Sequence, residues 1–331
     1  MVRRLLKALN ERAYKLFGEL AWYKTLRKFY YCGIRSCVKR RNSSFIFLNG
    51  RQLSEKKQRL MEHNKIWKKE LTHLAIYKLK NNARETVVVN LKGSDSFKLD
   101  DVLFCELFAS RDLKIDYSFF KDELLRCIYP AESREYRYYK YCESLLNFYL
   151  NNYAAKKDDC STAQFSLDMY KYAINHIRGN SVLDAGSCAA IFPILLKLKM
   201  PANEVTASDC NCGYFDDFAV QYCKQNGINI KFKKLDILSP STEESYDTVT
   251  SIHTLEHFEE KDTAAVINNL LKITNKRLIM IFPFEDFITI KDHRQKLNHK
   301  KINMIIKNLR FPAKIEKVSA RNYALAIDTD R

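Results

Sequence analysis

The stretch that decides the fold runs from residue 181 to residue 193 and reads SVLDAGSCAAIFP. A short, mostly apolar run, Ser181 to Ala185, breaks at Gly186, and helix-forming sequence resumes at Ile191. This succession is typical of the first strand, first turn and first helix of an α/β fold that binds a nucleotide-like ligand.

The turn after this strand indicates what kind of ligand is bound. A pyrophosphate needs a glycine-rich turn, because glycine lets the backbone approach the phosphates closely. Here Cys188 and Ala190 follow Gly186, so the turn is poor in glycine. A ligand without phosphates does not need so close an approach. Asp184, at the carboxyl end of the strand, is instead placed to face a cationic amine.

Four further strand-like runs follow at the spacing that a doubly wound sheet requires. They cover residues 205–209, 228–237, 246–252 and 277–282. Over its last half the chain thereby resembles the class I S-adenosylmethionine-dependent methyltransferases. The resemblance implies an α/β fold with a doubly wound, mostly parallel, seven-stranded sheet, closed by a strand pair at residues 313–318 and 323–328. It also implies S-adenosyl-L-methionine as the cofactor.

The resemblance assigns the cofactor to the carboxyl ends of these strands. Asp209 would bind the ribose hydroxyls, and Asp236 would lie near the adenine amino group. The alternative is that these acids cap helices, and it is stronger for Asp236 than for Asp184. The predicted cofactor-binding residues are Asp184, Gly186, Ser187, Cys188, Asp209, Cys210, Asp236, Ile237 and His253.

Methyl transfer needs an aligned nucleophile and, for a hydroxyl acceptor, a base. Residues 255–257 follow the fourth strand and resemble the family's Leu-Glu-His run, and His293 follows the fifth. We predict that His293 is the base, that Glu256 orients a neighbouring group, and that His253 lines the cofactor pocket as a second catalytic candidate. His257 is given a structural role as a cap or packing residue. For each histidine an ordinary polar role is the alternative.

The ten cysteines are scattered without a pairing pattern, which favours a reduced, cytoplasmic setting. Cys188, Cys210 and Cys212 could converge at neighbouring strand ends. A Cys-x-Cys pair lacks the Cys-x-x-Cys spacing of structural zinc sites, and the sequence offers no evident fourth ligand. We therefore predict no metal site and interpret these cysteines as small buried side chains.

Charge is concentrated in the first part of the chain. Residues 1–80 contain 21 Lys and Arg against 5 Asp and Glu, a net of +16 out of +17 for the whole chain. A basic region beside a nearly neutral core predicts an anionic partner: a phosphorylated substrate, RNA or an acidic membrane surface.

Apolar residues recur every three or four positions between residues 2 and 30, with basic residues between them. This pattern predicts an amphipathic helix, which either packs on the domain or lies in a membrane interface. The second alternative leaves a peripheral membrane location open. No run is long enough for a transmembrane segment, and nothing resembles a signal peptide.

We divide the chain into a basic helical region at 1–82, a mixed α/β-to-helical cap or linker at 83–159, and a methyltransferase domain at 160–331. The predicted function is methyl transfer to an oxygen or nitrogen of a small-molecule acceptor or biosynthetic intermediate. One alternative is an RNA methyltransferase that uses the basic region. Another is a non-catalytic scaffold, because the Cβ atoms of Cys188 and Ala190 could crowd the cofactor.

Overall fold

The structure is a computed structural model. It describes residues 43–48, 65–70, 74–81, 84–91, 125, 129, 131–154, 162–240, 244–283, 293–319 and 322–329. The chain divides into two compact units, residues 1–97 and residues 98–331, and each is described by itself.

The described elements of the first unit are strands. They are β1 (Ser43–Leu48), β2 (Lys65–Glu70), β3 (Leu74–Asn81) and β4 (Arg84–Leu91). They form one sheet in the order β1-β4-β3-β2, in which β1 and β4 are parallel and the other pairs antiparallel.

This sheet differs from the expectation of a mainly helical region at 1–82 at the residues described there, 43–48, 65–70 and 74–81. Residues 86–89 form the β-branched run Thr-Val-Val-Val, which favours a strand. Asn81 pairs with Arg84, so two residues suffice to connect β3 and β4 as a hairpin. The strand expected at residues 86–91 is present as part of β4. The amphipathic helix expected at residues 2–30 lies outside the described residues.

The described residues of the second unit form seven strands and their flanking helices. The strands are β5 (Ser181–Ala185), β6 (Glu204–Asp209), β7 (Lys231–Lys234), β8 (Tyr246–Ile252), β9 (Thr274–Pro283), β10 (Ala313–Lys317) and β11 (Asn322–Asp328). The helices are α1 (Arg134–Asn152), α2 (Thr162–Asn175), α3 (Ile191–Lys199), α4 (Gly213–Asp216), α5 (Ala219–Asn226), α6 (Thr263–Lys272) and α7 (His299–Lys307). Short 3-10 turns occupy Leu255–His257 and Glu260–Asp262. None of the helices described here is both long and apolar enough to cross a membrane.

The seven strands form one sheet in the order β10-β11-β9-β8-β5-β6-β7. Strands β5 to β9 run parallel, and β11 is antiparallel to both β9 and β10. The mostly parallel, doubly wound sheet expected from the sequence is therefore confirmed, with its antiparallel part at the closing strand pair.

Both faces of this sheet are covered. Along β5, Val182 packs into one buried cluster and Leu183 into another, because successive side chains of a strand point to opposite faces. Residues of α1, α2 and α3, such as Leu146, belong to the first cluster, and residues of α6, such as Val266, to the second. Each large apolar side chain buried in this way contributes about 1.5–3 kcal/mol. This two-sided burial fixes the strand ends that carry the polar residues.

Candidate functional site

The order of the sheet places a crevice beside the end of β5. From β5 the chain proceeds to β6 and β7 on one side, and then returns to β8 and β9 on the other. Ligands of open α/β sheets bind at such a reversal, outside the carboxyl ends of the strands. The loops that follow β5, β6 and β8 therefore define the candidate site.

The loop after β5 keeps a glycine-like backbone although it contains a single glycine. Gly186, Cys188 and Ala190 all have positive φ angles, of 85°, 48° and 54°. A residue with a Cβ in this left-handed region costs about 1–2 kcal/mol. Gly186 also lies close to the loop after β8, since a Cβ added there would be 2.5 Å from Thr254 Oγ1. Glycine at position 186 is thus required by conformation and by space.

Asp209, the last residue of β6, connects two of the loops. Its Oδ2 accepts a hydrogen bond from the Cys188 backbone N–H at 2.9 Å. Its Oδ1 accepts from the Asn211 backbone N–H at 3.0 Å, and the Cys210 thiol lies 3.5 Å away. A carboxylate has about four acceptor positions. The buried Asp209 side chain is therefore held in place while its oxygens keep acceptor capacity for hydroxyl donors.

Asp184 is buried at the end of β5, with 3% of its surface exposed. The Thr250 hydroxyl of β8 donates to its Oδ1 at 2.7 Å. The pKa of the Asp184 carboxyl is raised from 3.8 to about 6, mainly by burial and to a smaller extent by the nearby Asp209, against the opposing hydrogen bonds from Ser187 and Thr250. A carboxylate whose charge is opposed in this way is stabilised by a cation placed beside it.

Three histidine side chains lie near the carboxylate of Glu256, which belongs to the turn after β8. Glu256 is 1% exposed, and its Oε1 lies 3.2 Å from His253 Nδ1 and 4.0 Å from His293 Nε2. The His257 ring stands edge-on to the His293 ring, with centroids 5.3 Å apart. His253 has a positive φ of 55°, and its Nε2 lies 3.0 Å from Asn322 Oδ1 and 3.1 Å from Met169 Sδ. The side chains predicted to be catalytic thus lie together at the end of β8.

The comparison with protein families identifies the fold's relatives. Residues 182–277 match the family model described as "Methyltransferase domain". Within the C-terminal half of this chain, residues 182–277 are therefore similar to methyltransferase domains. The resemblance seen in the sequence is therefore confirmed, and with it S-adenosylmethionine as the cofactor of the family. A comparison with curated proteins gives no match.

Several solved structures are similar to the methyltransferase domain. Magnesium protoporphyrin IX methyltransferase from Synechocystis, with bound SAH, has 16% identity and a TM-score of 0.41, over 57% of this chain and 97% of that one. The PH0226 protein from Pyrococcus horikoshii has 19% identity and a TM-score of 0.43, over 55% and 98%. An O-methyltransferase family 2 protein from Planctomyces limnophilus, in complex with apigenin, has 11% identity and a TM-score of 0.42, over 60% and 62%. At this level of similarity nothing about the acceptor is inferred from them.

Two further predicted residues of the methyltransferase domain follow β7. Asp236 is exposed, and its Oδ1 accepts from the Leu238 backbone N–H at 2.9 Å, as in a side-chain-stabilised turn. Ile237 is buried. No helix follows Asp236 directly in the described residues, so its carboxylate stabilises a turn and does not cap a helix.

The cysteines of the methyltransferase domain differ from the expectation of buried side chains. Cys188 and Cys210 are exposed and Cys212 is partly buried, and none of the three forms a disulfide. Among the described residues, the potential ligand atoms that converge belong to Glu256, His257 and His293, rather than to these cysteines. Sequence reasoning missed His257 as a member of this group, and the signal that could have found it is its place directly after Glu256.

Proposed function

We propose that this protein transfers a methyl group from S-adenosylmethionine to an oxygen or nitrogen atom of a small-molecule acceptor. The observation that carries the proposal is Asp209, whose carboxylate is held by the loops after β5 and β6 at the reversal of strand order. When bound, the cofactor supplies an electrophilic methyl group, and the chain has to orient the two reactants and exclude water.

The residues at the strand ends fit this cofactor. Asp209 offers acceptor oxygens to vicinal hydroxyls, and the buried Asp184 offers its carboxylate to the cationic amine. We assign the remaining contacts to the neighbouring loop residues and to the start of the β8 loop. They are Gly186, Ser187, Cys188, Cys210, Asp236, Ile237 and His253.

The Cβ atoms of Cys188 and Ala190 motivated the scaffold alternative. Cys188 and Ala190 adopt the left-handed conformation that glycine favours, so the loop takes this backbone path without glycine at these two positions. Cys188 is exposed, whereas Ala190 is fully buried, so the two Cβ atoms have different surroundings. We therefore favour the enzyme over the scaffold.

We assign the acceptor side of the reaction to His253, Glu256 and His293. A hydroxyl acceptor has to lose its proton, and imidazole is the side chain best suited to accept it near neutral pH. Glu256 lies beside both rings and can orient them, as a carboxylate does in other histidine-based sites. His253 is the more open of the two, with 36% of its side chain exposed against 3% for His293.

Calorimetric titration with S-adenosylmethionine and S-adenosylhomocysteine tests the cofactor site. We expect the wild-type protein to bind both, and Asp209→Asn to bind both at least about 10-fold more weakly, because one acceptor oxygen becomes a donor. Asp216→Asn is the matched control, since that carboxylate is exposed on α4. Failure of the wild-type protein to bind either compound would favour the scaffold reading.

A second candidate acceptor is RNA, and the charge distribution favours it. The net charge of +16 on residues 1–80 is what a phosphate-binding region requires. Methyl transfer from a labelled donor into total RNA, compared with transfer into a small-molecule extract, separates the two acceptors. Incorporation into RNA alone would replace the small-molecule proposal.

A further inference from the structure

Three metal-ligating side chains converge next to the end of β8. Ligand atoms of Glu256, His257 and His293 all lie within 4.8 Å of one another. Glu256 and His293 are 1% and 5% exposed, whereas His257 is exposed to solvent. The group therefore combines a buried carboxylate and a buried imidazole with one ligand at the surface, through which an ion can enter.

Hydrogen bonds hold the two segments that carry these ligands against each other. The Arg294 backbone N–H donates to the Glu256 carbonyl at 2.8 Å. Gln295 Nε2 donates to the Leu255 carbonyl at 2.6 Å, and the Thr263 hydroxyl donates to Gln295 Oε1 at 2.9 Å. Because Gln295 is buried, these bonds are shielded from water. His293 is thus fixed beside the turn that carries Glu256 and His257.

A neighbouring ring also contacts the carboxylate. His253 Nδ1 lies 3.2 Å from Glu256 Oε1, and Asn322 contacts the other nitrogen of the same ring. Groups outside the ligand set that fix a ligating side chain in this way strengthen metal binding. His253 is placed to do this for Glu256.

We infer that Glu256, His257 and His293 bind one divalent transition-metal ion. Two imidazoles and one carboxylate form a ligand set that zinc, cobalt and manganese accept, whereas magnesium and calcium prefer oxygen ligands alone. Ligand atoms bound to one such ion at about 2.1 Å lie about 3–3.5 Å apart, so the ion would draw these side chains together by roughly 1 Å. Three protein ligands leave at least one coordination position open.

The open position has a consequence that rests on the proposed function. An acceptor hydroxyl bound there would lose its proton more readily, because the ion stabilises the oxyanion. Thr254, which lies against Gly186, connects this turn directly with the cofactor loop. An ion at Glu256 would occupy His293 and leave His253 as the proton acceptor. The inferred site thereby gives the buried His293 the role of a metal ligand, which does not require exposure to the acceptor.

Metal binding by the full-length, chelator-treated protein tests the inference without cofactor or acceptor. We expect Co²⁺ and Zn²⁺ to bind with one ion per chain at this site and Mg²⁺ to show no comparable binding. The Co²⁺ absorption spectrum should lack the thiolate charge-transfer band that cysteine ligands would give. The exposed residue His257 is changed first, and His257→Ala should weaken Co²⁺ binding at least about 10-fold. Glu256→Gln should do the same while preserving the shape of the buried side chain.

His176→Ala is the matched control. His176 stacks on Tyr172, and its carbonyl accepts a hydrogen bond from Arg277 near the start of β9, at the amino-terminal end of the parallel strands, whereas the cluster follows the carboxyl end of β8. This variant should bind Co²⁺ like the wild-type protein. Wild-type protein that binds no Co²⁺ or Zn²⁺, or a folded His257→Ala protein with unchanged binding, would overturn the inference. Because S-adenosylmethionine binding is titrated separately, failure of the metal site and failure of the proposed function are distinguishable.

Discussion

Asp184 shows how one residue of the site opposes stability. Burial raises the pKa of its carboxyl from 3.8 to about 6, so the folded protein holds this proton more tightly than the unfolded chain does. The free energy of unfolding that this residue controls therefore falls as the pH rises from about 4 to about 6, and above that range the full penalty is present. A cation bound beside Asp184 would offset the penalty.

Replacing Asp184 by asparagine should reveal this penalty. Near pH 8 we expect Asp184→Asn to be more stable than the wild-type protein by about 1–3 kcal/mol, because the amide carries no charge to desolvate. Near pH 4 the two proteins should be alike, and the variant should bind S-adenosylmethionine more weakly. Urea denaturation at both pH values measures the effect, with Asp216→Asn as the exposed control. A stabilisation of equal size at both pH values would mean that the charge is not its cause.

Cys188 offers a second prediction at the same scale. Its φ of 48° is left-handed, and glycine adopts this conformation without the penalty of a Cβ. We expect Cys188→Gly to raise the free energy of unfolding by about 0.5–1 kcal/mol. Ala190→Gly is the comparison, because Ala190 has a similar φ but is fully buried. Here the loss of a buried methyl group should cancel the gain in the free energy of unfolding of about 1 kcal/mol. Thermal denaturation of both variants measures the change in stability. A destabilised Cys188→Gly protein would contradict the prediction that the left-handed φ of Cys188 is strained.

Among the elements, the segment from His293 to Leu297 is held in part by the side-chain amide of Gln295. Gln295 bonds both the Leu255 carbonyl and the Thr263 hydroxyl, and its side chain is buried. Gln295→Ala should lower the free energy of unfolding by about 2–4 kcal/mol, because two buried polar groups lose their partner. Lys300→Ala, on the exposed surface of α7, serves as the control in the same denaturation experiment. A change of less than about 1 kcal/mol for Gln295→Ala would show that water replaces the lost bonds.

Local sequence patterns predicted most elements of the second unit. The apolar runs that became β5, β6, β8 and β9 each end in the expected polar or loop residues, and the closing pair β10 and β11 lies where the resemblance placed it. Strands β1 to β3 of the first unit were missed. The five lysines of β2 and β3 suggest the polar face of a helix, whereas β1 contains no charged residue and is only six residues long. Short basic strands carry a weak periodic signal, and their pairing partners decide their conformation.

The candidate site was predictable in its types of residue but less so in its contacts. The end of β8 was visible in the sequence, whereas the approach of His293 depends on a backbone bond between Arg294 and Glu256. Backbone bonds between distant segments leave no trace in residue identity. The left-handed conformations of Cys188 and Ala190 could not be foreseen either, because these residue types rarely adopt them.

For the molecule as a whole, the two units differ in net charge. Residues 1–80 carry +16 of the net charge of +17, so the methyltransferase domain is nearly neutral. If the first unit binds a polyanion, association should weaken steeply with salt, because each neutralised phosphate releases a counterion. We expect the affinity of the full chain for single-stranded RNA to fall at least about 10-fold between about 50 and 200 mM salt. Fluorescence anisotropy measures it, and vesicles of acidic lipid provide the competing surface.

The outcome of that experiment also distinguishes the partners. Salt-dependent binding to RNA without binding to vesicles would favour the RNA acceptor over a membrane surface. Binding to vesicles alone would favour a lipid surface, and the absence of salt-dependent binding to either would leave a phosphorylated small molecule as the anionic partner.

The left-handed residues have a consequence for how this protein would change under selection. Within the described part of the chain, the non-glycine residues with positive φ are Cys188, Ala190 and His253, and all three lie in the two loops around the β5–β8 crevice. A laboratory search for heat-resistant variants should therefore enrich substitutions at Cys188 early, since strain can be relieved there without the loss of a buried methyl group. Variants selected in that way would tend to have a lower catalytic rate, because these loops line the proposed cofactor site. The positions at which heat resistance is most easily improved are therefore those at which the improvement most reduces activity.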